Sequence, residues 1–181
     1  FYDEALDHAV AAGDFGAAAA LVEQARHNAI NAENWTQLSR WLSLLPADAV
    51  RRSPGLLLCR AWLLQFEFRL GQVGPLLAEI TALLQETAPG ITAPERLLLE
   101  AELAVLRSEI CCWSAQGEEA IAYALEALEK APHEQTFLRG SAYVYYCFGM
   151  QMIGRGTEGI AMLHAALESE GSVSSTAIPS V

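Results

Sequence analysis

Histidine and acidic side chains are the residues of this chain that could bind a metal or transfer protons, and their spacing argues against both roles. The histidines stand far apart, at His8, His27, His133 and His164. No two are four residues apart and none belongs to an H-E-x-x-H motif, so each is interpreted as a surface or half-buried side chain. Three glutamates fall on one long predicted helix, at Glu100, Glu102 and Glu109. Without a partnered acid or base they predict a solvated face.

One stretch near the C-terminus, GMQMIGRG (residues 149–156), has the glycine spacing of a Walker A phosphate-binding loop. Arginine replaces the lysine of that motif at position 155, and glycine replaces the serine or threonine at position 156. The stretch also follows an aromatic helical pattern, whereas a Walker A loop follows a strand. It is therefore interpreted as a helix end with a hairpin turn.

The cysteines could act as nucleophiles or metal ligands, but each falls inside a helical apolar pattern, at Cys59, Cys111, Cys112 and Cys147. No C-x-x-C motif occurs, and the neighbours Cys111 and Cys112 point about 100° apart on a helix. Buried free thiols in a reduced cytosol are the simplest interpretation. We therefore expect no enzyme activity, no metal and no cofactor.

Composition indicates a helical protein that does not bind nucleic acid itself. Of 181 residues, 52% are hydrophobic and 18% charged, and Ala and Leu, both strong helix formers, dominate. The net charge is −11 and Lys130 is the single lysine, whereas a duplex-binding surface needs clustered basic residues. The apolar windows 55–70 and 97–106 contain charges, so no membrane span is expected. No signal peptide is visible and the first residue is not Met, which predicts a cytoplasmic piece of a longer protein.

Repeats appear when the glycines are used as markers. GEEAIAYALEALE from Gly117 and GTEGIAMLHAALE from Gly156 share Gly, Glu, Ile, Ala, Ala, Leu and Glu at a spacing of 39 residues. Gly13 and Gly71 supply further turns, and a turn glycine with a positive φ is expected to end the first helix of each unit. The coarse helix pattern is 2–12, 14–31, 33–45, 54–70, 72–87, 94–116, 118–131, 134–154 and 157–170.

Ala120, Ala127, Leu128 and Pro132 fall where tetratricopeptide (TPR) repeats place small residues and a closing proline, so the units resemble TPR repeats. This resemblance implies an all-α fold of TPR-like helical hairpins, stacked in a right-handed superhelical solenoid of about nine helices. The predicted repeat domain covers residues 1–171, and residues 172–181 are predicted to be a C-terminal linker or cut end.

A more particular resemblance lies in WLSLLPADAVRRSPGLLLCRAW (residues 41–62). Its W-L-x-x-L-P, V-R-x-x-P-x-L and A-W patterns, with HAVAAGDFGAAAALVEQ at residues 8–24, resemble the helical segment of large ATP-dependent LuxR/MalT-type transcription regulators. The Trp, Leu and Pro residues of this stretch predict a helix–loop–helix packing seam, with Trp41 and Trp62 buried. The resemblance implies a sensor or interaction arm that binds a small-molecule effector or regulatory protein, with possible self-association. ATPase and DNA-binding modules would lie outside this chain. The alternative is a generic TPR-like scaffold that binds a peptide or partner protein on its concave face.

The first helix of each TPR hairpin lines the concave face, so counting back from Gly71, Gly117 and Gly156 with the family's spacing gives candidate binding residues. The predicted effector- or partner-binding set is Gln65, Phe68, Arg69, Arg107, Ser114, Tyr143, Tyr146 and Met150, with Cys111 also on this face. Basic and aromatic side chains can hold a carboxylate or stack on a ring. The alternative interpretation is that the aromatic residues form core and that the arginines offset the acidic surface.

Overall fold

The computed structural model describes residues 2–86 and 91–174, with side chains through residue 168, and this part of the chain forms α-helices joined by short turns. The helices are α1 Tyr2–Ala11, α2 Phe15–Asn31, α3 Trp35–Leu44, α4 Ala47–Arg51, α5 Pro54–Phe66, α6 Leu70–Glu86, α7 Ala93–Trp113, α8 Gly117–Lys130, α9 Thr136–Met152 and α10 Gly156–Ser174. The all-α prediction is confirmed. The additional helix is α4, a short helix inside the bridge that the sequence predicted as a loop.

Five of the turns between helices have the same geometry. In each, a left-handed residue stands two positions after one helix ends and two positions before the next begins: Gly13, Glu33, Phe68, Ala115 and Gly154. The amide after each left-handed residue donates to a carbonyl five residues earlier, as Arg69 does to Leu64 at 2.8 Å. This is the Schellman arrangement, which satisfies the last carbonyls of a helix. The structural repeat is therefore clearer than the glycine repeat of the sequence.

The prediction that the turn glycines have positive φ is right for Gly13 and wrong for Gly71, Gly117 and Gly156. Gly71 is the second residue of α6, while Gly117 and Gly156 are the first residues of α8 and α10. Gly117 serves close packing, because a Cβ there would stand 2.9 Å from the Met152 Cβ and 3.1 Å from the Gly149 carbonyl oxygen. Helices α8 and α9 therefore meet at a contact between two glycines.

Substitution of Gly149 tests this contact. An added Cβ would lie 2.8 Å from both the Gly117 carbonyl oxygen and the Ile121 Cγ1, so Gly149→Ala is expected to destabilise the fold by about 1–3 kcal/mol. Gly140, in the same helix, has open space around its Cα, so Gly140→Ala should stabilise by about 0.5–1 kcal/mol. Urea unfolding of both variants measures the difference. Equal effects at the two positions would contradict the close approach of α8 and α9.

The hairpins stack in two layers. Helices α5, α7 and α9 contact one another in an inner layer, and each packs on the helix that follows it, α6, α8 or α10. Helix α2 lies across the inner layer: it contacts α5 and α9, and its Arg26 reaches Glu102 on α7. At its C-terminal end, Asn31 donates to the Glu134 carbonyl and the Gln135 side chain, both at 3.2 Å. The inner layer is therefore partly covered by the chain's own second helix.

The predicted packing seam is confirmed. Trp41 on α3 is 3% exposed and Trp62 on α5 is 1% exposed. The Trp41 indole N–H donates to Asp3 Oδ1 at 2.6 Å, and this hydrogen bond lowers the pKa of Asp3. Between these helices, Pro46 precedes α4 as its N-cap residue, and Arg51 and Arg52 are exposed. The polar bridge is surface, and the tryptophans on either side of it hold the seam.

Two predicted boundaries lie close to segments that the structure does not describe. Helix α10 continues to Ser174, past the predicted domain end at residue 171. The rest of the predicted linker, 175–181, lies outside the described residues, as do residues 87–90, which cover the end of the predicted helix 72–87 and the start of the gap after it. Within the part of the chain that is described, no helix has the length and apolar character needed to cross a membrane.

Candidate functional site

A buried ion pair joins α2 to α7. Arg26 Nη1 donates to Glu102 Oε1 and Oε2 at 2.8 and 2.9 Å, and both side chains are 2% exposed. Arg26 Nε also donates to Glu23 Oε2 at 3.0 Å. Buried charges are tolerated when they are paired and hydrogen-bonded in this way. The interpretation of Glu102 as part of a solvated face is therefore wrong, because its partner comes from α2, 76 residues earlier.

Two more side chains complete the hydrogen bonding of Glu102. His27 Nε2 lies 2.8 Å from Glu102 Oε1, and the Trp62 indole N–H donates to Oε2 at 3.2 Å. Burial pushes the pKa of Glu102 upward, but the charge of Arg26 and the contact with His27 outweigh it, so the pKa lies below its ordinary value. Burial likewise opposes the charge of Arg26, while Glu102 raises the pKa of Arg26. Both partners therefore remain ionised at neutral pH.

The cluster extends to the start of α5. Ser53, the N-cap residue, accepts from the Leu56 amide at 3.1 Å and donates its hydroxyl hydrogen to Glu23 Oε1. A Cβ on Gly55 would overlap the Glu23 carboxylate, so glycine permits this approach. Beneath it, burial raises the pKa of the Cys59 thiol to about 12, which leaves that thiol protonated and unreactive. The cluster therefore holds charged side chains in fixed positions but contains no reactive thiol.

A cleft of about 710 Å³ opens beside this cluster, between α2, the start of α5, the first half of α7 and Pro132. Its charged lining is Glu23, Arg26, His27 and Glu95, and its apolar lining includes Pro54, Ile91, Pro94, Leu98 and Leu99. Clefts of this volume with mixed apolar and polar walls are typical of small-molecule sites. Among the described side chains, no cluster of three or more His, Cys, Asp or Glu has the arrangement needed to hold a metal ion.

A second buried carboxylate, Glu109, lies near the C-terminal end of α7 and is 3% exposed. Its Oε1 accepts from Gln65 Nε2 at 3.0 Å and from the Trp113 indole at 3.4 Å. Its Oε2 is buried and accepts no hydrogen bond within the described residues. The Tyr145 phenol lies near this carboxylate, and burial raises the pKa of Glu109. Glu109 was also predicted on a solvated face, and that interpretation is wrong.

An aromatic cluster fills the inner face between α3, α5 and α9. Trp35 stacks on Phe66 at 5.7 Å, and Phe137 meets Trp35 and Trp62 edge-on at 5.3 and 5.4 Å. A second cleft, of about 430 Å³, runs beside it between the α2–α3 turn and α9. Its walls are Asn31, Glu33, Thr136, Phe137, Gly140, Ser141, Val144 and Tyr145.

The structure does not bring the predicted binding residues onto one surface. Gln65 is half-buried against Glu109. The turn residues Phe68, Arg69 and Ser114 are exposed, and Arg69 pairs with Glu67 at 3.1 Å. Arg107 points between the layers, where it donates to Thr81 Oγ1 at 2.7 Å and covers the Tyr123 ring.

The α9 members of the predicted set lie elsewhere. Tyr143 and Tyr146 are half-buried, and the Arg139 guanidinium lies over the Tyr143 ring. Met150 is 3% exposed and packs against α10 at Gly159, while Cys111 is 8% exposed. Met150 and Cys111 therefore belong to the core in this conformation. Binding by the exposed members of the set stays a prediction.

Sequence reasoning missed Arg26, Glu102 and Trp62 as one cluster. A usable signal was present, because Glu102 interrupts the apolar window 97–106 and Arg26 follows the apolar residues Val22 and Ala25. A charge on an otherwise apolar helix face requires a partner when that face is buried. Sequence alone does not indicate which of the chain's 11 basic residues is that partner.

Comparison with known proteins finds sequence similarity to a transcription regulator. The HTH-type transcriptional regulator MalT of Yersinia enterocolitica is 32% identical over 136 residues, which are 75% of this chain and 15% of that protein. MalT proteins of Yersinia pestis and Yersinia pseudotuberculosis are 29% identical over the same shares. No protein-family profile matches the chain, and no solved structure matches it. Three-quarters of the chain is thus similar to one segment of the transcription regulator MalT, a segment that makes up 15% of that regulator's length.

Proposed function

We propose that this chain is the sensor and protein-interaction arm of a LuxR/MalT-like transcription regulator. In this role it binds an effector or regulatory protein and relays the bound state to ATPase and DNA-binding modules outside the chain. The observation that carries the proposal is the similarity to MalT over 136 residues. The role is non-enzymatic, and an acidic surface with a net charge of −11 leaves DNA binding to other modules.

The cleft beside Arg26 is the effector site in this proposal. Its walls come from helices far apart in sequence: α2 supplies Arg26 and His27, and α7 supplies Leu98 and Leu99. A ligand that contacts both walls stabilises the state in which α2 packs against α7 relative to a state in which α2 has separated from α7. Such a difference in affinity between two arrangements is what a relay requires. The Arg26–Glu102 pair is the contact through which a polar ligand would act.

Filling the cleft gives a direct test. Leu98 is half-buried and lines the cleft, whereas its neighbour Leu97 is 47% exposed and points elsewhere. In a thermal-shift screen of metabolites and nucleotides, we expect a binding compound to raise the Tm of the wild type and of Leu97→Trp. The same compound should leave the Tm of Leu98→Trp unchanged. The tryptophan fills the cleft, and a compound that cannot bind does not stabilise the folded state. Equal shifts in both variants would move the effector site away from this cleft.

The regulator assignment has its own test. The gene that encodes this chain should carry a Walker A motif upstream and a helix-turn-helix downstream. If neither is present, the alternative function is favoured: a TPR-like scaffold that binds a partner segment. The exposed aromatic side chains at one edge of the fold support that alternative, since Phe66, Phe68 and Trp113 are 55%, 79% and 63% exposed.

A further inference from the structure

Among the described side chains, Glu109 is a buried polar group for which the fold supplies no complete set of hydrogen-bond partners. Its two hydrogen bonds, from Gln65 and Trp113, both end on Oε1, and Oε2 accepts none within the described residues. A buried acceptor without a donor destabilises the folded state, and native proteins rarely leave one without a reason. The corresponding Oε2 atom of Glu102, by contrast, accepts hydrogen bonds from Arg26 and Trp62. Glu109 is thus a carboxylate with capacity for one more donor.

Two described arginines, one close in sequence to Glu109 and one close to its partner Gln65, are engaged elsewhere. Arg69, at the α5–α6 turn, pairs with Glu67 and donates to Gln72. Arg107, two residues before Glu109, points away to Thr81 and Tyr123. The groups that interact with Glu109 are the neutral side chains of Gln65, Trp113 and Tyr145. None of these groups donates to Oε2 within the described residues, so a cationic donor to Oε2 would come from outside these contacts.

Exposed aromatic and aliphatic side chains lie on the two helices that carry Glu109 and its neighbour Tyr145. Trp113 lies one helical turn after Glu109 and is 63% exposed. The Cys112 thiol donates to the Tyr145 carbonyl at 3.6 Å, which places the last turn of α7 beside the middle of α9. Two residues of α9 near this level, Val144 and Phe148, are 44% and 49% exposed. We call Trp113, Val144 and Phe148, together with the buried Glu109, the α7–α9 surface.

We propose that the α7–α9 surface binds a partner protein through an arginine side chain, whose guanidinium stacks on Trp113 and donates to Glu109 Oε2. Arginine fits better than lysine, because its planar guanidinium stacks on an aromatic face while its N–H groups still donate in the plane. The Trp113–Glu109 contact is long at 3.4 Å, so the indole can move aside at little energetic cost. The excess of 22 acidic over 11 basic residues attracts a basic partner. The proposal deepens the interaction role given above but uses a different site from the effector cleft.

The test measures binding of this chain to an array of degenerate 12-residue peptides whose central residue is fixed as arginine, lysine or citrulline. Citrulline has the shape of arginine without its charge. We expect arginine peptides to bind about tenfold more tightly than citrulline peptides, in keeping with one desolvated charged contact. Glu109→Gln should remove this preference. Glu118→Gln, which removes the same charge from an exposed residue of α8, should preserve it.

Titration of N-acetyl-arginine amide, followed by NMR of the Trp113 indole ¹⁵N–H, separates a partner segment from a small cationic effector. The peptide should bind more tightly than the amide, and equal affinities would overturn the proposal of a protein partner. Equal binding of arginine and citrulline peptides, or a preference that survives Glu109→Gln, would overturn it as well. If Glu109→Gln does not fold, Trp113→Ala at an exposed position gives the second test and should weaken arginine binding. Binding at the effector cleft is tested separately with Leu98→Trp. Either proposal can therefore fail while the other holds.

Discussion

Glu102→Ala is expected to lower the free energy of unfolding by about 3–5 kcal/mol, because it leaves the Arg26 guanidinium buried without its main counter-charge. Arg26 is 2% exposed, so water cannot replace the lost carboxylate without opening the contact between α2 and α7. The variant also removes the acceptor of the Trp62 indole N–H and the partner of His27. Urea unfolding followed by far-UV circular dichroism measures the change.

Three further variants separate the charge from the packing. Glu100→Ala removes a half-exposed carboxylate of the same helix that pairs with Lys130 and Arg96, and should cost about 1 kcal/mol or less. Glu102→Gln keeps an acceptor for Arg26 and should fall between the two. Arg26→Met with Glu102→Leu removes both charges, and it should recover most of the lost stability. A single Glu102→Ala loss no larger than that of Glu100→Ala would show that the pair is not buried in solution.

The same pair predicts a direction of acid sensitivity. The folded-state pKa of Glu102 lies below its ordinary value of 4.5, so its contribution to stability is complete above that value. The contribution is lost as pH falls through the folded-state pKa. The stability difference between wild type and Glu102→Gln should therefore shrink as the pH falls below about 4.5. Comparing the two proteins cancels the other carboxylates with lowered pKa, such as Asp3 and Glu100.

Local signals predicted the helices and their breaks. Ser53 and Thr92 accept hydrogen bonds from the first turns of α5 and α7, and each is followed within two residues by proline. Such caps depend only on neighbouring residues, so the sequence displays them directly. The burial of Trp41 and Trp62 followed in the same way from apolar spacing around the proline-flanked bridge.

Long-range contacts were not predictable from those signals. The position of α2 across the inner layer depends on the combined geometry of five hairpin turns, and three of those turns have a residue other than glycine, Glu33, Phe68 or Ala115, in the left-handed position. The binding residues were counted from glycines that stand at or near the start of helices, whereas the left-handed turn residues lie two or three positions earlier. Glu102 and Glu109 were interpreted as solvated for a related reason, since burial of a helix face depends on helices distant in sequence.

Trp62→Ala is expected to destabilise the fold by about 3–5 kcal/mol, because its side chain is 1% exposed and fills the centre of the inner layer. The ring packs against Trp35 at 6.4 Å and Phe137 at 5.4 Å, so truncation opens a cavity between α3, α5 and α9. It also removes a donor from Glu102 Oε2, which couples the core to the buried ion pair. Trp113→Ala, at a residue 63% exposed, is the matched control and should cost about 1 kcal/mol or less.

Urea unfolding at neutral pH compares the two tryptophan variants. Trp62→Phe should fall between wild type and Trp62→Ala, since phenylalanine keeps part of the ring contact but lacks the indole N–H. A loss below about 1 kcal/mol for Trp62→Ala would show that this side chain faces solvent or a ligand, and the packing seam would then be wrong. Because Trp62 joins the aromatic cluster to Glu102, its variant should also be non-additive with Glu102→Ala: the double variant should lose less stability than the sum of the two. Additive losses would show that the aromatic cluster and the buried ion pair contribute to stability independently.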